Sequence, residues 1–195
     1  MERLLTSQKQ YASCGVAESG LSSTIGVFSC RHLMKTLNAI RLEPIGVVQT
    51  NASLDDLKHR IATSKIVIKK EFSKGLDGIG GFSHLFVLFW MHKTSAPEKM
   101  ILKVHPRHRL YLPKQGVFAT RTQFRPNSIG LTVVKLVRRA GNTLTVKGLD
   151  AYEGTPVLDL KPYDSWDRLG KIRVPAWWKK LEKEKERNES ASHIG

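Results

Sequence analysis

From Pro44 onward, short strand-like segments recur at close spacing with Gly, Pro and Asn between them. This cadence constrains the fold more than any other feature. Ile45–Gln49 reads as a first strand. Ser64–Phe72 sets Ile66 and Ile68 in a β-branched run flanked by Lys65, Lys69 and Lys70. His84–Met91 is continuously apolar and aromatic, the pattern of a strand buried on both faces. Lys99–Val104 alternates Met100, Leu102 and Val104 with Lys99, Ile101 and Lys103. Ile129–Val137, Asn142–Lys147 and Pro156–Leu160 follow. Many short strands, turn residues between them and few helical periods predict an all-β barrel or sandwich.

Helical additions are few. Leu54–Arg60 reads as a short helix capped by Ser53, and Phe72–Gly80 as a turn-rich connection. At the C-terminus, Pro175–Glu189 changes character, with Trp177 and Trp178 leading into a charged run of good helix formers. That run predicts a solvated helix anchored by its tryptophans, and its nearly cancelling charges make it a poor nucleic-acid face. A chain of 195 residues suits one domain with a proper core. The expected organisation is a disordered or mis-annotated extension over 1–40 with a natural start at Met34, a β domain over 41–174, and a helical tail over 175–195.

Charge narrows the partners. The net charge is +15, and residues 44–140 hold 17 Lys/Arg against five Asp/Glu. The excess therefore lies in the body of the domain. A basic field of that size attracts polyanions and makes binding salt-dependent. Nucleic acid is the expected partner, and the charge accompanies no basic amphipathic helix of the kind that lies on membranes. Two cysteines, Cys14 and Cys30, cannot make a disulfide framework or a zinc site alone and fit a reducing cytoplasm. No apolar run approaches the length of a membrane span, and residues 1–33 lack the apolar centre of a secretory signal. The seven histidines lack metal-site spacing, so no metal is expected; His105 and His108 read as exposed loop residues.

Two segments carry the chemistry. Gly116–Leu131, GVFATRTQFRPNSIGL, begins as a short extended run and sets two guanidinium forks, Arg121 and Arg125, around an otherwise apolar loop. Turn chemistry explains Pro126 and Asn127; it does not explain two groups shaped for phosphate or carboxylate. Gly148–Tyr163, GLDAYEGTPVLDLKPY, places Asp150, Tyr152, Glu153, Gly154 and Thr155 before a strand ending in Asp159, Lys161 and Tyr163. With IGVVQT at Ile45–Thr50 and GFSHLFVLFWMHKT at Gly81–Thr94, these blocks resemble the TsaA-like, or TrmO, family of tRNA methyltransferases.

The resemblance implies a single small β-barrel and a homodimer. It also implies methylation of N6 of threonylcarbamoyl-adenosine in the tRNA anticodon loop, with S-adenosylmethionine as cofactor. It places the cofactor at His92, Lys93, Arg121, Leu131, Glu153, Gly154, Thr155 and Pro156. The chain departs from the family in two places. NASLDDLKHRIATSK, between Thr50 and Ile66, replaces a Pro-Arg-Gln segment, and Ser128 stands where relatives usually carry Pro. No strand–GxGxxG–helix unit occurs, so any such cofactor is bound on a β scaffold rather than a Rossmann one.

For RNA, Arg125 and Asn127 are the first expected contacts, with Lys99, Lys103, Arg107, Arg109 and Lys114 as a phosphate-facing rim. Tyr111, Phe118 and Phe124 lie interleaved with these charges and are read as core in preference to stacking platforms. Asp159, Lys161 and Tyr163 alternate along one strand end and should share a face, which makes them candidates for handling a proton. A non-catalytic RNA-binding barrel and a methyltransferase for a small metabolite remain open alternatives.

Overall fold

In a computed structural model, residues 40–192 are described; the expectations for residues 1–39, for Met34 and for both cysteines lie outside them. Six strands form a closed antiparallel barrel. They are β1 (Gly46–Gln49), β2 (Thr63–Ile68), β3 (His84–Trp90), β6 (Ile129–Ala140), β7 (Thr143–Lys147) and β8 (Pro156–Pro162). The order around the barrel is β1-β2-β7-β6-β3-β8, and β8 closes onto β1. A separate two-stranded hairpin, β4 (Lys103–Val104) with β5 (Gln115–Gly116), is inserted between β3 and β6.

The barrel interior is filled by alternate residues of its strands. Val48, Ile66, Ile68, Leu85, Val87, Phe89, Val134, Leu144, Val146 and Val157 are buried together, with Leu149 at the end of β7. Gly130 of β6 lies opposite Phe89 of β3, and a Cβ built on Gly130 would run into the Phe89 ring. The glycine is required because the aromatic ring occupies the space its side chain would take. Bulges interrupt the ladders between Leu88 and Phe89 and between Leu136 and Arg138, where extra local twist helps a small barrel close.

Among the described residues, three α-helices decorate the barrel. In α1 (Leu54–His59), Ser53 caps Asp56 N–H while the Asp56 carboxylate accepts from Ser53 N–H. Both partners of this capping box are local in sequence. In α2 (Ala96–Lys99) the Ser95 backbone N–H and hydroxyl donate to Glu98, which hold its carboxyl below the usual range. The third, α3 (Ala176–Ser192), seats Leu181 in a buried position. It is tied to the β4–β5 insertion, because Glu184 accepts from the Tyr111 hydroxyl and pairs with Arg109 at 3.3 Å. Arg107 lies over the Trp178 ring at 5.8 Å.

Several sequence expectations need correction. Lys99–Val104 is not one strand: α2 ends at Lys99 and only Lys103–Val104 pairs. Met100, Leu102 and Ile101 are all exposed, so their alternation had no sheet to serve. The strand expected to reach Phe72 stops at Ile68, because Lys70–Leu76 winds into a 3-10 helix. Gly116-Val-Phe-Ala is extended only at Gly116, and Val117–Ala119 is a 3-10 turn. β3 is buried on one face only: Leu85, Val87 and Phe89 point inward, while Phe86, Leu88 and Trp90 are half covered. His105, read as a solvated loop residue, binds the Leu112 carbonyl at 2.8 Å.

Candidate functional site

One rim of the barrel collects polar side chains. It is formed by the ends of β1, β3 and β7 and the starts of β2, β6 and β8, with the loops that join them. The turn Glu153-Gly154-Thr155-Pro156 enters β8 here. Gly154 N–H donates to the Val48 carbonyl at 2.9 Å and Val48 N–H donates to the Thr155 carbonyl at 2.9 Å, so the turn is laced to β1. Gly154 has φ +74, a conformation open to glycine at little cost. A Cβ on Gly154 would meet nothing within 4 Å, so the backbone here faces open space.

The side chains converge on that turn. The His92 Nδ1 and the Thr155 hydroxyl are 3.4 Å apart, which joins the end of β3 to the start of β8. Lys93 stands over the Tyr152 ring at 4.3 Å. The Glu153 carboxylate accepts from Thr50 N–H, which fixes one oxygen and leaves the group exposed. Leu131, on the outer face of β6, is opposite Leu88 and 48% exposed, an apolar wall next to the rim. The structure thus brings His92, Lys93, Glu153, Gly154, Thr155 and Pro156 together. Arg121 is exposed on the loop that leads into β6.

Sequence reasoning missed part of this rim. Asp150 accepts from the Thr132 hydroxyl inside the barrel and from Arg60 at its mouth, with Arg60 Nη2 to Asp150 Oδ2 at 2.8 Å. Ser64 donates to the Thr50 hydroxyl at 3.0 Å. Arg60 and Asp150 are 90 residues apart, so no local spacing announces the pair. The only available signal was a single Asp inside the GLDAYEGTP block.

The other candidates are distributed. Asp159 and Lys161 form an ion pair at 2.9 Å, and the Tyr163 ring packs edge-on to Phe86, so the three share the outer face as alternation requires. They run away from the rim. At about 3.3 Å per residue, Asp159 lies roughly 13 Å along β8 from Thr155, and Tyr163 roughly 26 Å. Among the expected RNA contacts, Lys103, Arg107, Lys114 and Asn127 are exposed. Lys99 lies over the Trp90 ring at 5.1 Å, and Arg109 pairs with Glu184. Arg125 is half-buried; its Nη1 donates to the carbonyls of Val117 at 3.1 Å and Thr120 at 2.9 Å. Its charge is partly spent on bracing the loop.

Comparison with known proteins decides the family. Residues 49–167 match the family model of the tRNA-methyltransferase O N-terminal domain. The chain belongs to the TrmO family. A probable S-adenosyl-L-methionine-binding protein of Methanothermobacter thermautotrophicus is 42% identical over 137 residues, covering 67% of this chain and 96% of the relative. A tRNA (adenine(37)-N6)-methyltransferase of Mus musculus is 47% identical over 160 residues, or 76% of this chain and 36% of the relative. The crystal structure of TrmO from Pseudomonas aeruginosa superposes with TM-score 0.55 at 29% identity, covering 70% of this chain and 62% of that one. The chain therefore spans nearly all of the archaeal relative and about a third of the mouse one.

Family membership puts the two departures in structural terms. The segment NASLDDLKHRIATSK, read as standing in for a Pro-Arg-Gln triplet, contains α1 and the start of β2, and the C-cap of α1, Arg60 at φ +57, brings a guanidinium to the rim through Asp150. Ser128 is fully buried; its hydroxyl donates to the Arg125 carbonyl at 3.4 Å and its carbonyl accepts from Met91 N–H at 2.8 Å. These hydrogen bonds hold the turn before β6, at the position where the resemblance implied a proline. Among the described residues, no three His, Cys, Asp or Glu side chains are grouped to hold a metal, and no helix is long and apolar enough to cross a membrane.

Proposed function

We propose that the chain transfers a methyl group from S-adenosylmethionine to N6 of N6-threonylcarbamoyladenosine in the anticodon loop of tRNA. The observation that carries this is the rim, where a carboxylate, an imidazole, an ammonium and an open glycine turn meet beside an exposed apolar wall. The archaeal relative is named for binding that cofactor and the mouse relative for methylating tRNA adenine, which supports extending both to this chain.

The donor set fits a charged nucleoside cofactor. Glu153, oriented by Thr50, would accept from ribose hydroxyls or from the ammonium of the methionine part. Arg121 offers a planar fork suited to its carboxylate. Gly154 exposes backbone to an adenine edge, and Leu131 provides apolar cover. His92, Lys93, Thr155 and Pro156 complete the wall. When bound, the cofactor supplies a methyl group on a cationic sulfur. The chain's contribution is alignment of the accepting nitrogen and exclusion of water. The carbamoyl group of the substrate acidifies the N6 proton, which would pass to solvent at the open rim as the new N–CH3 bond forms and the sulfonium leaves as a neutral thioether. Asp159, Lys161 and Tyr163 are assigned no proton transfer within one subunit because of their distance along β8.

The RNA-facing surface is the β4–β5 insertion, with Lys99, Lys103, Arg107 and Lys114 on phosphates and Asn127 near the base. Arg109 and Arg125 contribute less, since one pairs with a carboxylate and the other donates to two carbonyls, whereas Lys99 and Arg107 rest against ring faces. Two subunits would associate through the outer faces of β3 and β6, where Phe86, Leu88 and Trp90 lie opposite Val133, Leu131 and Ile129. A contiguous apolar face of this kind, half covered on β3 and exposed on β6, fits an interaction surface. The proposal places the homodimer in the cytoplasm with its tRNA. Isothermal titration with S-adenosylmethionine, with and without bulk tRNA, tests the site. Micromolar binding supports it, and no binding by folded protein would favour a non-catalytic RNA-binding barrel.

A further inference from the structure

The three aromatics interleaved with the basic residues fare differently. The Tyr111 hydroxyl is committed to Glu184, and Phe124 is half-buried. Phe118 is 74% exposed. It sits in the 3-10 turn Val117–Ala119, whose first residue is buried and whose second points to solvent. That turn is braced from several sides. The Val117 carbonyl accepts from the Thr120 hydroxyl at 2.9 Å and from Arg125 Nη1 at 3.1 Å, and Val117 N–H donates to the Leu102 carbonyl at 3.0 Å. The Arg125 guanidinium lies over the Phe118 ring at 5.6 Å. An exposed phenyl ring is thus held out on a rigid turn, backed by a cation. Residues 96–125 around it carry seven Lys/Arg against one Glu.

We infer that Phe118 is a stacking platform for an unpaired base of the RNA. Every base has a face that stacks on an aromatic ring, and surrounding cations hold the backbone that presents it. What sets Phe118 apart from an ordinary exposed apolar residue is its surroundings: a braced turn, a guanidinium over the ring and a basic segment on both sides. Arg125 is the positioning residue: it fixes the turn through two carbonyls and stiffens the ring. The proposal rests on RNA being the substrate, and it adds which side chain receives the base.

Binding of the intact protein to a fluorescent anticodon stem-loop, followed by anisotropy over a range of salt concentrations, tests it. Phe118→Ala should weaken binding roughly 5- to 150-fold, the span measured for loss of one base–aromatic stack. The slope of affinity against salt should stay unchanged, because phenylalanine neutralises no phosphate. Phe118→Tyr should bind like the unmodified protein, and a fully paired RNA should not distinguish Phe118→Ala from it. Unchanged stem-loop affinity in Phe118→Ala would overturn the proposal, as would an equal loss on the paired RNA. Lost S-adenosylmethionine binding or a broken dimer with stem-loop affinity intact would also overturn it. If the unmodified protein bound neither RNA, the substrate assignment would fall as well.

Discussion

Gly130 and Phe89 share one space, and Arg121 is exposed on the loop that leads into β6. The two residues come from the same sequence block and do different work. Gly130→Ala forces a methyl group into an aromatic ring in a closed barrel. Its expected cost is about 1–3 kcal/mol, read as a lower denaturant midpoint at unchanged slope. Arg121→Ala touches no core. It should leave thermal stability intact and weaken S-adenosylmethionine binding about 10- to 150-fold, the worth of a hydrogen bond to a charged group, measured by isothermal titration. A stability loss without an affinity loss would contradict that assignment. The block itself was legible because turn residues and paired arginines are local patterns. Arg125 shows where that legibility ended. Its charge suggested RNA, but its partners are backbone carbonyls, and which carbonyls a loop turns inward is decided by tertiary folding.

At the scale of elements, the strands of the barrel were readable from alternation, and the inserted hairpin was not. Ile45–Gln49 and Asn142–Lys147 lie within a residue of the observed β1 and β7. Both have a hydrophobic interior to answer to. Lys99–Val104 has the same alternation with no interior beside it, so most of it is not strand. Phe118 is the sharper case. An aromatic in an apolar stretch reads as core, and only the buried Val117 beside it, with the 3-10 turn, sends the ring outward. The rim was half legible: Glu153 to Pro156 form one local motif, while Arg60 with Asp150 is a long-range pair with no periodic signature. If the insertion is the RNA-facing element, neutralising Lys103 and Arg107 together should lower the salt slope of tRNA binding by about 1.4–1.8, the loss of two phosphate contacts. An unchanged slope and affinity would place the RNA elsewhere.

The described residues from Leu42 onward form a barrel with a polar rim, a basic insertion on one connection and an apolar outer face on β3 and β6. Burial of a half-apolar sheet face between copies would explain why Leu131 and Val133 are exposed in a single chain. Val133→Glu should therefore shift the protein to monomers in analytical ultracentrifugation without unfolding it; a monomeric unmodified protein would refute the dimer. The closed barrel was expected from strand cadence together with the family resemblance. Its strand order and its contacts with α3 depend on pairings between distant segments. The proposed reaction of this barrel is methylation of one modified adenosine. The most direct measurement is incubation with isotope-labelled S-adenosylmethionine and tRNA carrying threonylcarbamoyladenosine, followed by mass spectrometry of the digested nucleosides. Label is expected in that nucleoside, heavier by one methyl group, and none in tRNA lacking the threonylcarbamoyl group. Label in a different nucleoside, or no label from a protein that binds both partners, would contradict it.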